Sequence, residues 1–131
     1  MTQVQQLTAP VARILLSLIF VTSGFGKISA YAGTQQYMEA MGVPGALLPL
    51  VIALEILGGL AVMVGWHTRV AAFLLAGFSL LSAVLFHANF GDQMQMIMFM
   101  KNLSIAGGFL LIVSLGSGAY ALDNRSAKEG V

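Results

Sequence analysis

The sequence contains no cysteine among its 131 residues. This absence excludes disulfide relays, thiolate zinc sites, cysteine-ligated iron–sulfur clusters and attachment of a lipid through cysteine. Any redox chemistry would therefore need an electron carrier that the chain does not supply itself.

Charge is almost as scarce. Only 8% of the residues are charged, against about 25% in a typical soluble domain, whereas 58% are hydrophobic. The net charge is +1 and no basic run is present, so the chain has no electrostatic footprint for nucleic acid. This composition excludes a soluble core and indicates a protein embedded in a lipid bilayer.

Polar residues, prolines and glycines divide the chain into four apolar runs. The runs cover residues 11–28, 47–65, 70–86 and 99–122. Each is close to the roughly 20 residues that cross about 30 Å of hydrocarbon as a helix. Because the connections are short, the sequence predicts an all-α fold, an antiparallel integral membrane four-helix bundle, as a single domain over residues 1–131.

The connection between the first two runs, residues 31–45, predicts a short interfacial helix. Thr34 can cap this helix, Tyr37 shares a face with nearby methionines, and Gly42 lies where the helix would end. The helix would serve either as a lid over one mouth of the bundle or as a linker lying on the lipid.

The basic residues predict how the bundle is oriented. Four of them lie on the side shared by both termini and the middle connection: Arg13, Arg69, Arg125 and Lys128. Lys27 and Lys101 lie on the other side. Since cytoplasmic flanks of membrane helices are enriched in lysine and arginine, we expect both termini in the cytoplasm, with Arg13 and Arg69 as cytoplasmic anchors.

Helical spacing brings several rare charges onto common faces. In the first run one stripe steps by 4, 3, 4 and 3: Arg13, Ser17, Phe20, Gly24 and Lys27. The same stepping in the third run gives a second stripe: Arg69, Phe73, Ala76, Leu80, Ala83 and His87. Small residues on the other two helices, beside Glu55 and beside Lys101, allow close approach of helices in lipid. We therefore expect the polar groups to face the interior of the bundle.

Glu55 is the deepest of these charges. If Pro49 occupies the first turn of its helix, Glu55 lies roughly 9 Å further in. An unpaired ion at that depth costs at least about 2.5 to 3.5 kcal/mol, so Glu55 must pair, accept hydrogen bonds or stay protonated. Lys27 and Lys101 are both possible partners. Such a cluster is either a binding site or a buried ion pair that fixes helix register while the lysines extend to lipid head groups.

No metal centre is predicted. His67 and His87 should lie on opposite sides of the membrane, so a single chain cannot clamp haem between them. The thioethers of residues 94–100 suit Cu(I), but methionine is also an adaptable apolar filler for an irregular re-entry into the bilayer, and we favour that interpretation.

The chain resembles the DoxX family of small four-helix bacterial membrane proteins. The resemblance covers nearly the whole chain and is carried by Arg13, Gly24-x-x-Lys27, Glu55-x-x-Gly58-Gly59, Gly65-x-x-Thr68-Arg69, His87 and Met100-Lys101-Asn102. The family takes its name from a subunit associated with a thiosulfate:quinone oxidoreductase and a terminal quinol oxidase. The resemblance thus implies a bacterial inner-membrane protein linked to quinone redox chemistry.

Residues and resemblance together define a candidate binding cluster: Lys27, Glu55, His87, Lys101 and Asn102. In the leading hypothesis this cluster binds a quinone or a similar lipophilic aromatic, with no covalently bound cofactor, as one subunit of a quinone-dependent oxidoreductase with a redox partner. His87 or Lys101 would donate a hydrogen bond to a quinone oxygen, and Glu55 would exchange the proton. The alternatives are a non-enzymatic membrane scaffold or partner subunit, and a carrier of aromatic compounds that would need a homo-oligomer to move its cargo.

Overall fold

The computed structural model describes the backbone of residues 2–128 and the side chains of residues 2–125; the side chain of Lys128, used above for orientation, is outside this range. The described chain forms six α-helices: α1 Gln3–Ser29, α2 Tyr31–Ala40, α3 Leu48–Val64, α4 Thr68–Phe86, α5 Gln93–Leu115 and α6 Leu122–Lys128. A single 3₁₀ turn, Gly45–Leu47, leads into α3.

Four segments are long and apolar enough to cross a membrane: Gln3–Ser29, Gly45–Val64, Thr68–Phe86 and Gln93–Leu115. They run antiparallel, as predicted. One end of the bundle, here the termini end, holds the start of α1, the α3–α4 turn and residues 116–125. The opposite end, here the loop end, holds α2 and the α4–α5 connection. Helix α1 packs mainly on α3 and α4 on α5, with a smaller contact between α3 and α4.

The first helix starts eight residues before the predicted run. The Thr2 side chain accepts a hydrogen bond from the Gln5 N–H, and the Gln5 side chain accepts one from the Thr2 N–H. This reciprocal capping box satisfies two backbone donors at the helix start. It explains why residues 3–10 are helical although their polar side chains placed them outside the apolar run.

The fourth predicted span, residues 99–122, is shifted in the structure. Helix α5 begins at Gln93 because the Asp92 carboxylate caps it by accepting from the Met94 N–H at 2.9 Å. The predicted irregular re-entry through the methionine run is therefore wrong, and the run is helical. The helix ends at Leu115 since Gly116 adopts a φ of 86°, which breaks the helical path before Leu122.

The core lies in the middle of the bundle. The Phe20 ring meets the rings of Phe109 and Phe78 edge-on, with centroids 5.4 and 6.3 Å apart. Gly59 gives α1 and α3 their close approach, because a side chain there would come within 2.8 Å of Val21. Small residues thus set the helix spacing, as expected for helices that associate in lipid.

The stripe predicted on α1 is confirmed, since the four buried residues of this helix are Arg13, Ser17, Phe20 and Gly24. The stripe predicted on α4 is only partly right: Ala76 and Ala83 are buried, but Phe73 is 61% exposed. The buried face of α4 is rotated toward its small residues, Ala72, Ala76, Ser79 and Ala83. In a helix that is apolar all round, large side chains reveal little about which face packs.

Candidate functional site

An ion pair between Lys27 and Glu55 lies inside the loop half of the bundle. Lys27 Nζ is 2.7 Å from Glu55 Oε1 and also donates to Ser23 Oγ at 2.6 Å. The two helices meet here because Gly24 has no side chain, and a Cβ at that position would come within 2.5 Å of Ile56 Cγ1. The sequence allowed either Lys27 or Lys101 as the partner of Glu55, and in the structure the partner is Lys27.

The pair is asymmetric in its access to the surroundings. Glu55 is 3% exposed, whereas 27% of the Lys27 side chain remains accessible. Among the described residues, Glu55 accepts no hydrogen bond from any other donor. Since an ionised carboxylate offers about four acceptor positions, its hydrogen-bonding capacity is largely unused by the protein. Such a buried group is poised to accept a further donor.

A cavity of about 600 Å³ adjoins this ion pair. This volume falls within the range typical of small-molecule sites, roughly 300 to 1,000 Å³. Its walls are mostly aliphatic and aromatic side chains of α3 and α4, such as Leu54 and Phe78. Apart from Ser23, Ser79 and Ser82, its polar residues lie toward the loop end: Lys27, Thr34, Glu55, His87 and Asn102. The combination of apolar walls and a few polar groups suits an amphiphilic ligand.

His87 and Asn102 add hydrogen-bonding capacity to the same cavity. His87 Nδ1 lies 2.7 Å from Gln95 Oε1. Because a carboxamide oxygen only accepts, Nδ1 carries the proton in this orientation of the Gln95 amide. The His87 Nε2 atom and the Asn102 amide have no hydrogen-bond partner within residues 2–125. Both groups can therefore bind a ligand without breaking an existing bond.

Lys101 does not join the cluster. It is exposed and lines a separate groove on the outer face of α5, beside Met96 and Ser104. The inward face of α5 carries Ala106 and Phe109, and Asn102 lies one turn before Ala106 on that face. One residue step rotates a side chain by roughly 100°, so Lys101 points away from the face that Asn102 shares.

The short helix α2 covers the loop end of the cavity. Its Met38 is 4% exposed, and the Tyr37 ring stacks on Phe86 with centroids 5.5 Å apart. Gln35 Nε2 also donates to the Gly45 carbonyl at 3.1 Å. The predicted cap is wrong, because Thr34 bonds back to the Ala30 carbonyl from inside the helix. Of the two roles left open by the sequence, these contacts favour the lid.

At the termini end the polar groups are used to close the fold. Arg13, 2% exposed, donates to backbone carbonyls of Met63 at 3.2 Å and of Ala119 and Tyr120 at 2.9 Å each. It therefore ties the end of α3 to the segment after α5, which satisfies carbonyls that the helix leaves free. The other predicted anchor, Arg69, is exposed and lies against Gly116.

Asp123 caps α4 from a distant part of the sequence. Its carboxylate accepts from the N–H groups of His67 at 2.7 Å and of Thr68 at 2.9 Å, and from the Thr68 hydroxyl. Burial alone would raise the pKa of Asp123, but these hydrogen bonds and the nearby His67 hold it below its ordinary value. A second concave region of about 730 Å³ lies here, yet its acidic group is already engaged in capping.

Sequence reasoning missed three of these partners. Ser23 lies four residues before Lys27, so helical spacing alone could have identified it. Gln95 meets His87 only because the α4–α5 connection turns sharply, and Asp123 reaches His67 across 56 positions of sequence. No local pattern signals the last two contacts.

The chain is similar to a family profile and to several known proteins. The DoxX family profile matches residues 9–88. The inner membrane protein YqjF of Escherichia coli is 57% identical over 129 residues, 98% of this chain and 99% of that protein. The inner membrane protein YphA of the same organism is 40% identical over 122 residues, 88% of this chain and 87% of that protein. The putative oxidoreductase CatD of Bacillus subtilis is 31% identical over 64 residues, 49% of this chain and 48% of that protein.

No solved structure matches the chain significantly. The four membrane-spanning helices, and the names of the two relatives that match over most of the chain, indicate a multi-pass protein of the inner membrane. The matched profile spans more than half of the chain, and the relative matched over nearly its full length exceeds half identity. The chain belongs to the DoxX family.

Proposed function

We propose that the loop-half cavity binds the head group of a quinone or quinol, and that the protein works as the quinone-binding subunit of an inner-membrane oxidoreductase. The observation that carries this proposal is the largely unused carboxylate of Glu55 beside Lys27, at the wall of an apolar cavity. The relative CatD is named a putative oxidoreductase, and this name is consistent with a redox function in the family.

The residues present fit such a head group. The Lys27 ammonium and the Asn102 amide can donate hydrogen bonds to carbonyl oxygens, and the Glu55 carboxylate can accept one from a hydroxyl. His87 Nε2 accepts from a hydroxyl when the ring is neutral and donates to a carbonyl when the ring is protonated. Lys101, which the sequence suggested as a donor, has no part because it lies outside the cavity.

A bound quinone would supply two-electron, two-proton chemistry. The chain's own contribution is to hold the head group and to exchange its protons: the ionised Glu55, whose charge Lys27 offsets, accepts a proton from a quinol hydroxyl and becomes neutral. Because the sequence has no cysteine, we propose that a partner subunit carries the electrons. The lid helix α2 would keep water away from the head group.

Binding can be measured by fluorescence quenching with a reporter placed in the cavity. The single tryptophan, Trp66, lies at the termini end, so a Trp66→Phe, Phe86→Trp protein moves the reporter to the cavity lining. Quinone in nanodiscs is expected to quench this tryptophan saturably. Glu55→Gln should weaken binding at least about tenfold, since a hydrogen bond to a charged group contributes about 1.5 to 3 kcal/mol.

The matched control is Glu39→Gln, which removes an exposed carboxylate of α2 outside the cavity lining. This variant should bind like the parent. Absence of saturable quenching in the parent protein, or equal affinity in Glu55→Gln, would refute the proposal. The scaffold alternative also predicts a loss of stability in Glu55→Gln but differs in one outcome, since no quinone would bind to the parent or to any variant.

A further inference from the structure

The loop-half cavity is open on one side, toward the lipid. Several of its lining side chains are largely exposed on the outside of the bundle: Leu50 at 67%, Phe73 at 61%, Leu81 at 58% and Ile19 at 54%. A residue that lines a cavity and is also more than half exposed marks where that cavity reaches the surface. Three of the four belong to α3 and α4, so the opening runs mainly along the seam between these two helices, with Ile19 of α1 at its edge.

The helix packing explains why this seam is open. Helix α3 packs mainly on α1, and α4 mainly on α5, so the α3–α4 contact is the smaller one. The two helices are joined by a turn of three residues at the termini end, and Asp123 holds that turn in place. At the loop end the link between them runs through α2, whose Tyr37 stacks on Phe86 of α4. Gly77 of α4 lines the seam, and a Cβ there would find no atom within 4 Å.

The seam has a polar end and an apolar end. Apart from Ser79, the lining residues of α4 recur at steps of 1 and 3 and so form one helical face: Phe73, Leu74, Gly77, Phe78, Leu81, Ser82, Leu85 and Phe86. This face is roughly 20 Å long at about 1.5 Å per residue. His87 and the Lys27–Glu55 pair lie toward the loop end, whereas the stretch around Phe73 and Gly77 is apolar.

We infer that the ligand of this site is a tail-bearing membrane amphiphile, whose head lies at the Lys27–Glu55 pair and whose apolar tail passes through the α3–α4 seam into the bilayer. The inference rests on the proposed function and adds the class of molecule and its path. The ion pair has no net charge, so it suits an uncharged head with both donors and acceptors. The head would enter sideways from the lipid, beneath the lid helix α2.

The test fills the seam without touching the head-group site. Gly77→Leu places a side chain into open space beside the tail path, and Gly107→Leu is its control, because Gly107 of α5 has the same open surroundings but lines no part of the cavity. Binding of ubiquinone-10 and of its tailless head, 2,3-dimethoxy-5-methyl-1,4-benzoquinone, is measured for each variant in nanodiscs.

Gly77→Leu is expected to weaken ubiquinone-10 at least tenfold and to leave the tailless head within twofold of the parent, whereas Gly107→Leu changes neither. Leu81→Trp, at an exposed position of the same face, provides a second block should Gly77→Leu fold poorly. Unchanged binding of ubiquinone-10, or equal weakening of both ligands, would overturn the tail path and leave the proposed function standing. If neither ligand binds the parent protein, the proposed function itself fails.

Discussion

Glu55 is the residue on which the site depends. A carboxylate at 3% exposure in a membrane helix is stable only with compensation, and Lys27 at 2.7 Å supplies it. Because 27% of the Lys27 side chain remains accessible, a ligand can contact the pair through Lys27. The same two residues would therefore contribute to stability and to binding.

Loss of one partner should cost more than loss of both. Glu55→Gln leaves the Lys27 ammonium beside a neutral amide, and we expect the free energy of unfolding to fall by about 1 to 3 kcal/mol, less than for a fully buried pair because Lys27 is partly exposed. The double variant Lys27→Met, Glu55→Gln should recover part of this loss. Thermal unfolding in detergent of the parent, Glu55→Gln, Lys27→Met and the double variant measures the coupling, and strictly additive losses would speak against a coupled pair.

At this scale the sequence was informative where a helix has a single polar stripe. The Arg13 to Lys27 stripe on α1 followed from spacing alone, because each end carries a charge and the middle carries small and apolar residues. Lys101 was misplaced because α5 is apolar on all faces, so nothing in its pattern distinguishes the face of Lys101 from that of Asn102.

At the scale of elements, residues 116–125 hold the termini end together. Arg13 binds the carbonyls of Ala119 and Tyr120, and Asp123 caps the start of α4. Gly65 allows this segment to approach the α3–α4 turn, because a Cβ there would come within 2.3 Å of Ala121 Cβ. This end of the bundle is therefore closed by contacts between residues that are far apart in the sequence.

Gly65→Ala should therefore destabilise the protein strongly. Both Gly65 and Gly42 have a positive φ, 76° and 81°, but a Cβ at Gly42 meets no atom within 4 Å. Gly42→Ala carries only the backbone cost of about 1 to 2 kcal/mol. Gly65→Ala should lose a further 1 to 3 kcal/mol, roughly, from overlap with Ala121. Comparable unfolding temperatures for the two variants would contradict the close packing at Gly65.

The Asp123 cap should give stability a defined pH dependence. Its pKa is lowered in the folded state, so its contribution is full above the unfolded value of about 3.9 and is lost as the pH falls through the folded value. Asp123→Asn should therefore be less stable than the parent at neutral pH, and the difference should shrink below about pH 4. Unfolding midpoints of both proteins from pH 7 to pH 3 measure this, and a constant difference would exclude the assigned role.

Element boundaries were harder to predict than the elements themselves. All four spans and the α2 helix were expected, but α1 begins earlier and α5 is displaced toward the loop end. The causes are specific: a capping box at Thr2, a cap at Asp92, and a helix stop at Gly116. Several polar or glycine residues near each helix end could serve as the cap or the stop. Hydropathy alone does not show which of them does.

On the scale of the whole molecule, the polar groups at the two ends of the bundle are engaged differently. The termini end uses its polar groups to close the fold, whereas the loop end keeps polar groups available beside a cavity. The distribution of lysine and arginine predicts that the termini end faces the cytoplasm. The cavity would then lie in the outer half of the membrane.

This orientation can be tested directly because the chain has no cysteine of its own. Gly91→Cys places a thiol in the exposed α4–α5 connection, and Gln3→Cys places one at the exposed start of α1. A membrane-impermeant maleimide applied to spheroplasts should label Gly91→Cys, and should label Gln3→Cys only after the membrane is disrupted. The reverse pattern would show that the bundle is inverted.

The central claim, that the cavity beside the Lys27–Glu55 pair holds a quinone, is tested most directly by mapping where a photoreactive quinone attaches. After illumination in nanodiscs, mass spectrometry of the digested protein should find adducts on cavity-lining segments of α3 and α4, such as those containing Leu54 and Phe78. Excess unlabelled quinone should compete these adducts away, and Glu55→Gln should reduce them. Adducts confined to the outer face of α5 around Lys101, or to the termini end around Arg69, would contradict the account.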